Sequence, residues 1–434
     1  MNLEEFLLCL INALLAMGYS LIAPLYPSIA LSHSVSLITI GFVMASSSIF
    51  QILTISYSIF ILKNYERKKV FIIGTILCSS CTLTYGFLNF INNKMIFLIV
   101  SFGSRILDGF GTGIVYPIIY SIISRISSEN DLKQNIGYME FFWNCGFTCG
   151  PVIITIFYYF GGYTLPFVIA ALCRYSVLLT LFYIPMDDDS EELNKNDNKN
   201  VIDNDMSEKL LEKNNENENL NQNSTLSSDS IFPIIYNSYR ILLYVLSVIV
   251  MTNSTTFYFP TLTEYLKNSF GLSVTMSSLF FLGNSVSYLI SLQFINEISN
   301  FFGNIPIMAL SLFFNGFGCL LIPPIPLLPL SSTITFIGIF INGFFSSFIN
   351  VNMFIVSGDE LKRMDKRATE TQKSDISSAL FNASLNIADL IAPILGAYIT
   401  SKISFGWSAY VSGSFCFILS ILFVKEYNKI KKEI

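Results

Sequence analysis

Residues 95–124 read MIFLIVSFGSRILDGFGTGIVYPIIYSIIS. The stretch carries two charges, Arg105 and Asp108, and is otherwise apolar or small. About 20 predominantly apolar residues suffice to cross the hydrocarbon core of a bilayer as a helix, so this segment reads as a membrane span. The whole chain has the same character. Apolar residues make up 52% of it and charged residues 13%, with a mean hydropathy of +0.58, whereas soluble domains carry about 25% charged residues. The 434-residue length would otherwise suggest two or three soluble domains. The sequence pI of about 5.1 says little about partners, because 13 of the 30 acids fall within 187–229.

Working outward from 95–124, similar runs occur at 6–28, 37–62, 69–90, 135–159, 163–184, 236–262, 273–295, 304–323, 332–356, 377–401 and 405–424. With 95–124 they predict twelve spans. No basic region precedes the first run, which is read as a membrane helix and not as a cleaved signal. Residues 185–231 break the pattern. They are rich in Asn, Glu, Asp and Ser with almost no aromatics, cannot bury enough surface to fold, and are expected to be a disordered linker. The expected domains are a six-helix bundle over 1–184, the linker, and a second bundle with a short basic tail over 232–434.

Lysines and arginines set the orientation. Lys63, Arg67, Lys68 and Lys69 lie between spans 2 and 3, and Arg125 and Lys133 between spans 4 and 5. Lys362, Arg363, Lys366, Arg367 and Lys373 lie between spans 10 and 11, and Lys425, Lys429, Lys431 and Lys432 in the tail. All fall on the linker's side, whereas the other side has Lys94, Lys267 and Lys402. The linker and both termini are expected to be cytoplasmic, in a vesicular, endomembrane or plasma membrane.

A six-and-six division suggests an internal repeat. Span 4 has Asp108-Gly109-Phe110 where span 10 has Asn342-Gly343-Phe344. Glu140 and Asn144 precede Pro151 by the same intervals as Asn382 and Asn386 precede Pro393, and Pro24 and Pro260 sit at comparable depths in spans 1 and 7.

The charges well inside the spans are Arg105, Asp108, Glu140, Arg174 and Asp389. Each costs roughly 2.5–3.5 kcal/mol at mid-membrane on insertion scales, so each must face protein or water. Arg105 and Asp108, three residues apart, share a helix face, either as a self-neutralising pair or as a gating and proton-coupling pair. Gly109, Gly111 and Gly113 follow and admit a close neighbour. Glu140 shares a polar strip with Asn144. It can exchange a proton between compartments, pair with a cationic substrate, or simply bond a neighbouring helix. Arg174 is either its partner or a snorkelling side chain. Asp389 is a second candidate carboxylate, unless it bonds Asn386 locally. Gly146 and Gly150 form a small-residue packing face, and Pro151 bends or loosens the helix.

The eight cysteines all lie in apolar runs and read as packing residues, the Cys78-x-x-Cys81 spacing included. His33 falls in a short loop with no expected role. The sequence has no nucleotide loop, metal cluster or nucleophile triad, so the chain is expected to be no enzyme, without cofactor or metal and without a nucleic-acid partner.

Twelve spans, the six-and-six division and the basic 2–3 loop resemble the major facilitator superfamily. RILDGFGTG (105–113) resembles its Arg-x-x-polar-Gly pattern, and GFTCGPVIITIFYYFGGYTLPF (146–167) its antiporter-type helix. GYMEFFWNCGFTCGP (137–151), APLYP (23–27) and PTLTEYLKNSFGLSVTMSSLFFLGNSVSYLIS (260–291) resemble the vesicular amine transporter family, the polyamine branch more closely than the others. Two departures stand out. The 2–3 loop, Asn64-Tyr65-Glu66-Arg67-Lys68-Lys69, lacks the usual Asp, and spans 1 and 10 offer Asn12 and Asn342 in place of the acids of monoamine transporters.

The resemblance implies an all-α membrane protein of two pseudo-symmetric six-helix bundles that rock about a central site. It implies exchange of protons for a small organic cation such as a polyamine, by a monomer in the lipid bilayer. Arg105, Asp108, Glu140 and Asp389 are then the proton-coupling or gating groups. Asn12, Ser20, Tyr116, Asn253, Tyr258 and Asn342 line the cargo site. Gly146, Gly150, Pro151 and Pro393 lie along the helix seams. Other readings are a facilitator or drug-efflux carrier of another solute, and a non-transporting receptor or scaffold.

Overall fold

The computed structural model describes residues 3–126, 132–180, 238–323, 329–364 and 370–433. The expected linker at 185–231 lies outside the described residues, as do Lys366 and Arg367. Among the described residues the fold is all-helical, without strands. Helices occupy all twelve predicted stretches. Ten helical stretches are long and apolar enough to cross a membrane. The other two are Thr164–Thr180, whose apolar part is short, and Tyr239–Thr256, which carries Arg240, Asn253 and several hydroxyl residues. Large apolar side chains cover the outside: Tyr159 is 86% exposed and Phe160 74%. A soluble monomer does not present apolar surface on this scale; lipid accounts for it.

The first span is two helices, α1 (Leu3–Ser20) and α2 (Ile22–Ser32), where one helix over 6–28 was expected. Proline lacks an N–H, and its ring crowds the carbonyl four residues back. For Pro24 that carbonyl belongs to Ser20, where α1 ends. The second half repeats the device. α8 (Tyr239–Thr256) ends four residues before Pro260, and α9 (Leu262–Phe270) resumes after a turn. α9 in turn stops at Gly271, whose φ of 65° is left-handed and suits a residue without a Cβ.

The remaining helices of the first half are α3 (Leu37–Asn64), α4 (Arg67–Phe87), α5 (Lys94–Ile126), α6 (Leu132–Gly161) and α7 (Thr164–Thr180). Those of the second are α10 (Val274–Leu292), the short α11 (Ile295–Phe302), α12 (Asn304–Leu321), α13 (Ser332–Met364), α14 (Glu370–Lys402) and α15 (Phe405–Glu433). In the first half α1 packs on α6, α3 and α4 pack on α5, and α4 packs on α7. In the second, α8 packs on α14, α10 and α12 on α13, and α12 on α15. The two sets match helix for helix. The bundles meet along two seams, α3 against α14 and α6 against α10, which are also related by the repeat.

The cores differ between the two ends of the molecule. At the end away from the termini, one cluster joins both bundles: Leu25, Tyr26, Ile29, Phe97 and Phe167 pack with Phe257, Tyr258, Leu262, Leu266 and Phe281. Thr263 donates a hydrogen bond to the Pro24 carbonyl across this joint at 3.2 Å. At the end that carries the termini, each bundle keeps its own core, around Leu8, Phe71 and Ile119 in one and Ile241, Met353 and Phe423 in the other. Among the described residues, one apolar cluster thus joins the bundles at one end, and each bundle keeps a separate cluster at the other.

Candidate functional site

Asp108 is the centre of a buried charge cluster. Arg105, one turn earlier on α5, meets its Oδ2 at 3.1 Å, and Arg174 of α7 meets its Oδ1 at 3.3 Å. Arg174 also donates to the carbonyls of Leu15 and Cys78 and to the Thr82 hydroxyl, so it ties α1, α4 and α5 to α7. Gly18 makes room for it, because a Cβ there would collide with the guanidinium. Arg174 was expected to pair with Glu140 or to snorkel; it does neither, being only 1% exposed and spent on Asp108. Arg105 reaches α3 through the Met44 carbonyl at 3.0 Å and the Ser47 hydroxyl, and lies over the Tyr19 ring. Its Nε has no hydrogen-bond partner of good geometry among the described residues. The glycines after Asp108 set this contact: Gly109 and Gly113 abut the α3 backbone, and Gly111 abuts α4.

Asp389 of α14 faces this cluster from the other bundle. A small cavity between the halves is lined by Tyr19, Met44 and Arg105 on one side and Thr256, Phe259, Asp389 and Pro393 on the other. Asp389 interacts electrostatically with Arg105 and Tyr19. It does not bond Asn386, whose amide donates to the Asn382 carbonyl.

Glu140 lies on the α6 side, half-buried. Tyr120 of α5 donates its hydroxyl proton to Oε1 at 2.8 Å, and the Asn144 amide donates to the Glu140 carbonyl. Tyr288 of α10 hydrogen-bonds the Asn144 side chain, interacts electrostatically with Glu140, and accepts a hydrogen bond from Asn350 of α13 at 3.2 Å. Among the described residues no lysine or arginine pairs with Glu140. Three intramembrane carboxylates thus have three environments: Asp108 holds two guanidiniums, Asp389 faces one across a cavity, and Glu140 has hydroxyls and amides.

The model of the family described as Major Facilitator Superfamily matches residues 8–213 and 243–433. The chain belongs to that superfamily. This facilitator is 25% identical over 406 residues to the MFS-type transporter SLC18B1 of Rattus norvegicus, covering 92% of this chain and 80% of that protein. It is 22% identical to the Homo sapiens protein of the same name, over 96% of this chain and 85% of the relative. A 147-residue stretch, 34% of this chain and 35% of the relative, is 26% identical to multidrug resistance protein 2 of Bacillus subtilis. The fold matches solved transporters. A POT family transporter in complex with 5-aminolevulinic acid superposes with a TM-score of 0.70 at 14% identity, covering 98% of this chain and 96% of the other. The nucleoside transporter NupG gives 0.68 at 12%, covering 98% and 99%. The chain is a multi-pass membrane transporter of small molecules, resembles the vesicular amine transporters, and is not an enzyme.

Within the facilitator frame, most of the expected cargo-lining groups serve helix contacts. Asn12 is fully buried and donates to the Met139 carbonyl of α6 at 2.9 Å. Asn342 donates to the Ser254 carbonyl at 3.1 Å and Asn253 to the Ser412 hydroxyl at 3.2 Å. Tyr258 sits in the cluster that joins the bundles and accepts from Asn284 at 2.5 Å. The Ser20 hydroxyl donates back to Met17. Tyr116, half-buried, accepts from the Trp143 indole at 3.4 Å.

The seam residues divide. Gly146 and Gly150 were expected on a sliding seam, but a Cβ on either would strike α1, at the Ala13 carbonyl and the Ser20 hydroxyl respectively. They make a contact inside the first bundle. Pro393 does lie on a seam, its carbonyl against Gly41 of α3. Pro151 sits inside an unbroken α6, and its carbonyl accepts from Thr155, which meets Ser278 across the other seam at 3.1 Å.

Sequence reasoning also missed a cluster in the second bundle. Arg240 of α8 pairs with Glu426 of α15 at 2.6 Å and Glu360 of α13 at 3.6 Å, and Glu360 with Arg363 at 3.3 Å. All but Arg363 are buried. The available signal was Arg240 within the predicted span 236–262, where no loop requires a base. His33 stacks on Phe97 at 4.4 Å, and all eight cysteines are free.

Proposed function

We propose that this transporter exchanges protons for a small organic cation, such as a polyamine, by alternating access. The observation that carries this is Glu140: a carboxylate at a bundle seam within a membrane-spanning helix, with no cationic side chain among the described residues to neutralise it. Such a group needs a proton or a positive ligand. The two occupants exclude one another, and that exclusion is the minimum requirement of an antiporter: cargo displaces the proton on one side, and a proton displaces cargo on the other. The shared cluster at one end and the separate clusters at the other support a conformation open toward the termini. With the lysine and arginine distribution placing the termini in the cytoplasm, that conformation is inward-open. The six-and-six domain bounds with their linker, and action as a monomer, belong to the same reading.

The test is uptake of a panel of radiolabelled organic cations into proteoliposomes under an imposed pH gradient. Accumulation that collapses when the gradient is dissipated supports the proposal; accumulation indifferent to pH contradicts it. A drug-efflux role is the second reading, favoured by the likeness to multidrug resistance protein 2. Transport of bulky aromatic cations in preference to polyamines would favour it.

A further inference from the structure

The last helix is longer than a bilayer needs. The 29 residues of α15 extend about 43 Å at 1.5 Å each, against a hydrocarbon core of about 30 Å. Aromatic residues mark where the excess lies. Trp407, 54% exposed, and Tyr427, 37% exposed, stand about 30 Å apart along the helix. Tryptophan and tyrosine favour the two membrane–water boundaries, so the turns from Lys425 onward occupy the headgroup layer at the end that carries the termini.

One face of the helix changes character at that boundary. Ile418, Ile421, Lys425, Lys429 and Lys432 follow one another by three or four positions and therefore form a single stripe. The two isoleucines are 57% exposed and face lipid; the three lysines are exposed as well. The opposite side of the helix is buried through Leu419, Phe423 and Glu426. Glu426 pairs with Arg240 of α8 at 2.6 Å, which fixes the rotation of the last turns and keeps the lysines facing outward. Among the described residues no acid pairs with Lys425, Lys429 or Lys432.

We propose that this stripe is a binding site for anionic phospholipid, with Lys425, Lys429 and Lys432 holding headgroup phosphate and carboxylate while the acyl chains lie along Ile421 and Ile418. Three fixed charges without an internal counter-charge attract lipids of net negative charge over zwitterionic ones. The stripe looks outward into the bilayer, and Lys432 lies only about 10 Å beyond Lys425 along the helix, so lipid reaches all three lysines where a soluble protein would meet the headgroup layer first. With the termini in the cytoplasm, as the lysine and arginine distribution has it, this is the leaflet in which anionic lipid is concentrated.

The test is native mass spectrometry of the full-length protein, released from detergent micelles that contain equal amounts of dioleoylphosphatidylserine and dioleoylphosphatidylcholine. The serine lipid should be retained with at least a tenfold preference. K425Q/K429Q/K432Q should lower that preference at least fivefold. K68Q/K69Q/K362Q, which removes the same charge from exposed lysines elsewhere at that end, should leave it within twofold. Thermal unfolding identifies a triple variant that fails to fold; K429Q then replaces it, with an expected twofold or larger loss. Glycerophosphoserine, the same headgroup without chains, should displace the lipid only at a tenfold or greater excess. Absence of any preference in the parent protein would overturn the proposal and leave the stripe to an acidic protein partner. Equal losses in the two triple variants would overturn it in favour of net charge alone, and displacement by equimolar glycerophosphoserine in favour of a soluble phosphate.

Discussion

The two bundles share one packing plan yet fill their middles differently. The first places charge there: Arg105, Asp108 and Arg174 in one cluster and Glu140 on the opposite side. At corresponding depths the second has amides and hydroxyls, Asn253, Ser254, Asn342 and Ser412. Its ion pairs, Arg240 with Glu360 and Glu426, sit at the end that carries the termini. Asp389 is the exception, and it faces the first bundle's arginine. The difference teaches that a repeated fold need not repeat its chemistry. Amides can hold helices together at mid-membrane, where a charge must be matched or put to use.

Breaking the matched cluster should have the largest effect on stability. Asp108→Asn leaves two buried guanidiniums without their shared counter-charge, and removal of one member of a buried ion pair costs about 3–5 kcal/mol. Thermal unfolding of purified protein should show the loss. Near-normal stability would mean that another acid, such as Asp389, neutralises the cluster. Gly146→Leu comes next. Its side chain would enter the α1 backbone at Ala13, and overpacking costs about 1–3 kcal/mol. The defect should appear in yield and melting temperature; a normally stable protein with slowed turnover would instead place Gly146 on a moving surface. The smallest effect is expected from Glu426→Gln in the second bundle. Arg240 retains Glu360 and the Gln amide can still hydrogen-bond it, so the loss should be about 1 kcal/mol, the net scale of one ordinary hydrogen bond. Melting temperature again reports it, and a loss as large as that of Asp108→Asn would remove the contrast between the bundles.

Much of the fold was legible because each membrane helix must satisfy its own backbone and cover its length with apolar residues. Runs of that kind located the long helices of the two bundles but not the short α9 and α11 that lie between predicted runs. The matched positions of Pro24 and Pro260 also foretold a repeated feature, although not that each proline ends a helix four residues earlier. Partners were far less legible. The spacing of Arg105 and Asp108 predicts their pairing, because three residues make a helical turn. Arg174 joins them from 66 residues away, a proximity fixed by packing and not by spacing. Asn12 and Asn342 were expected at the cargo site because the resemblance puts them where monoamine transporters carry acids; in the structure the amide N–H of each donates to a neighbouring backbone carbonyl. Tyr288 and Asn350 were passed over because, in a chain so rich in tyrosine and asparagine, only tertiary contact shows which of them meet. Gly146 and Gly150 announced close approach correctly but could not say which helix approaches.

The central claim is that Glu140 alternates between proton and cargo. The direct measurement is pH-gradient-driven uptake beside counterflow, in the same vesicles, for the parent protein and Glu140→Gln. The amide can keep the Tyr120 contact and the fold, but it holds neither a proton nor a cation. Both activities should therefore disappear together, by at least tenfold, while the melting temperature stays near that of the parent. Uphill uptake by the variant with the parent's pH dependence would contradict the account and move the exchange to another carboxylate.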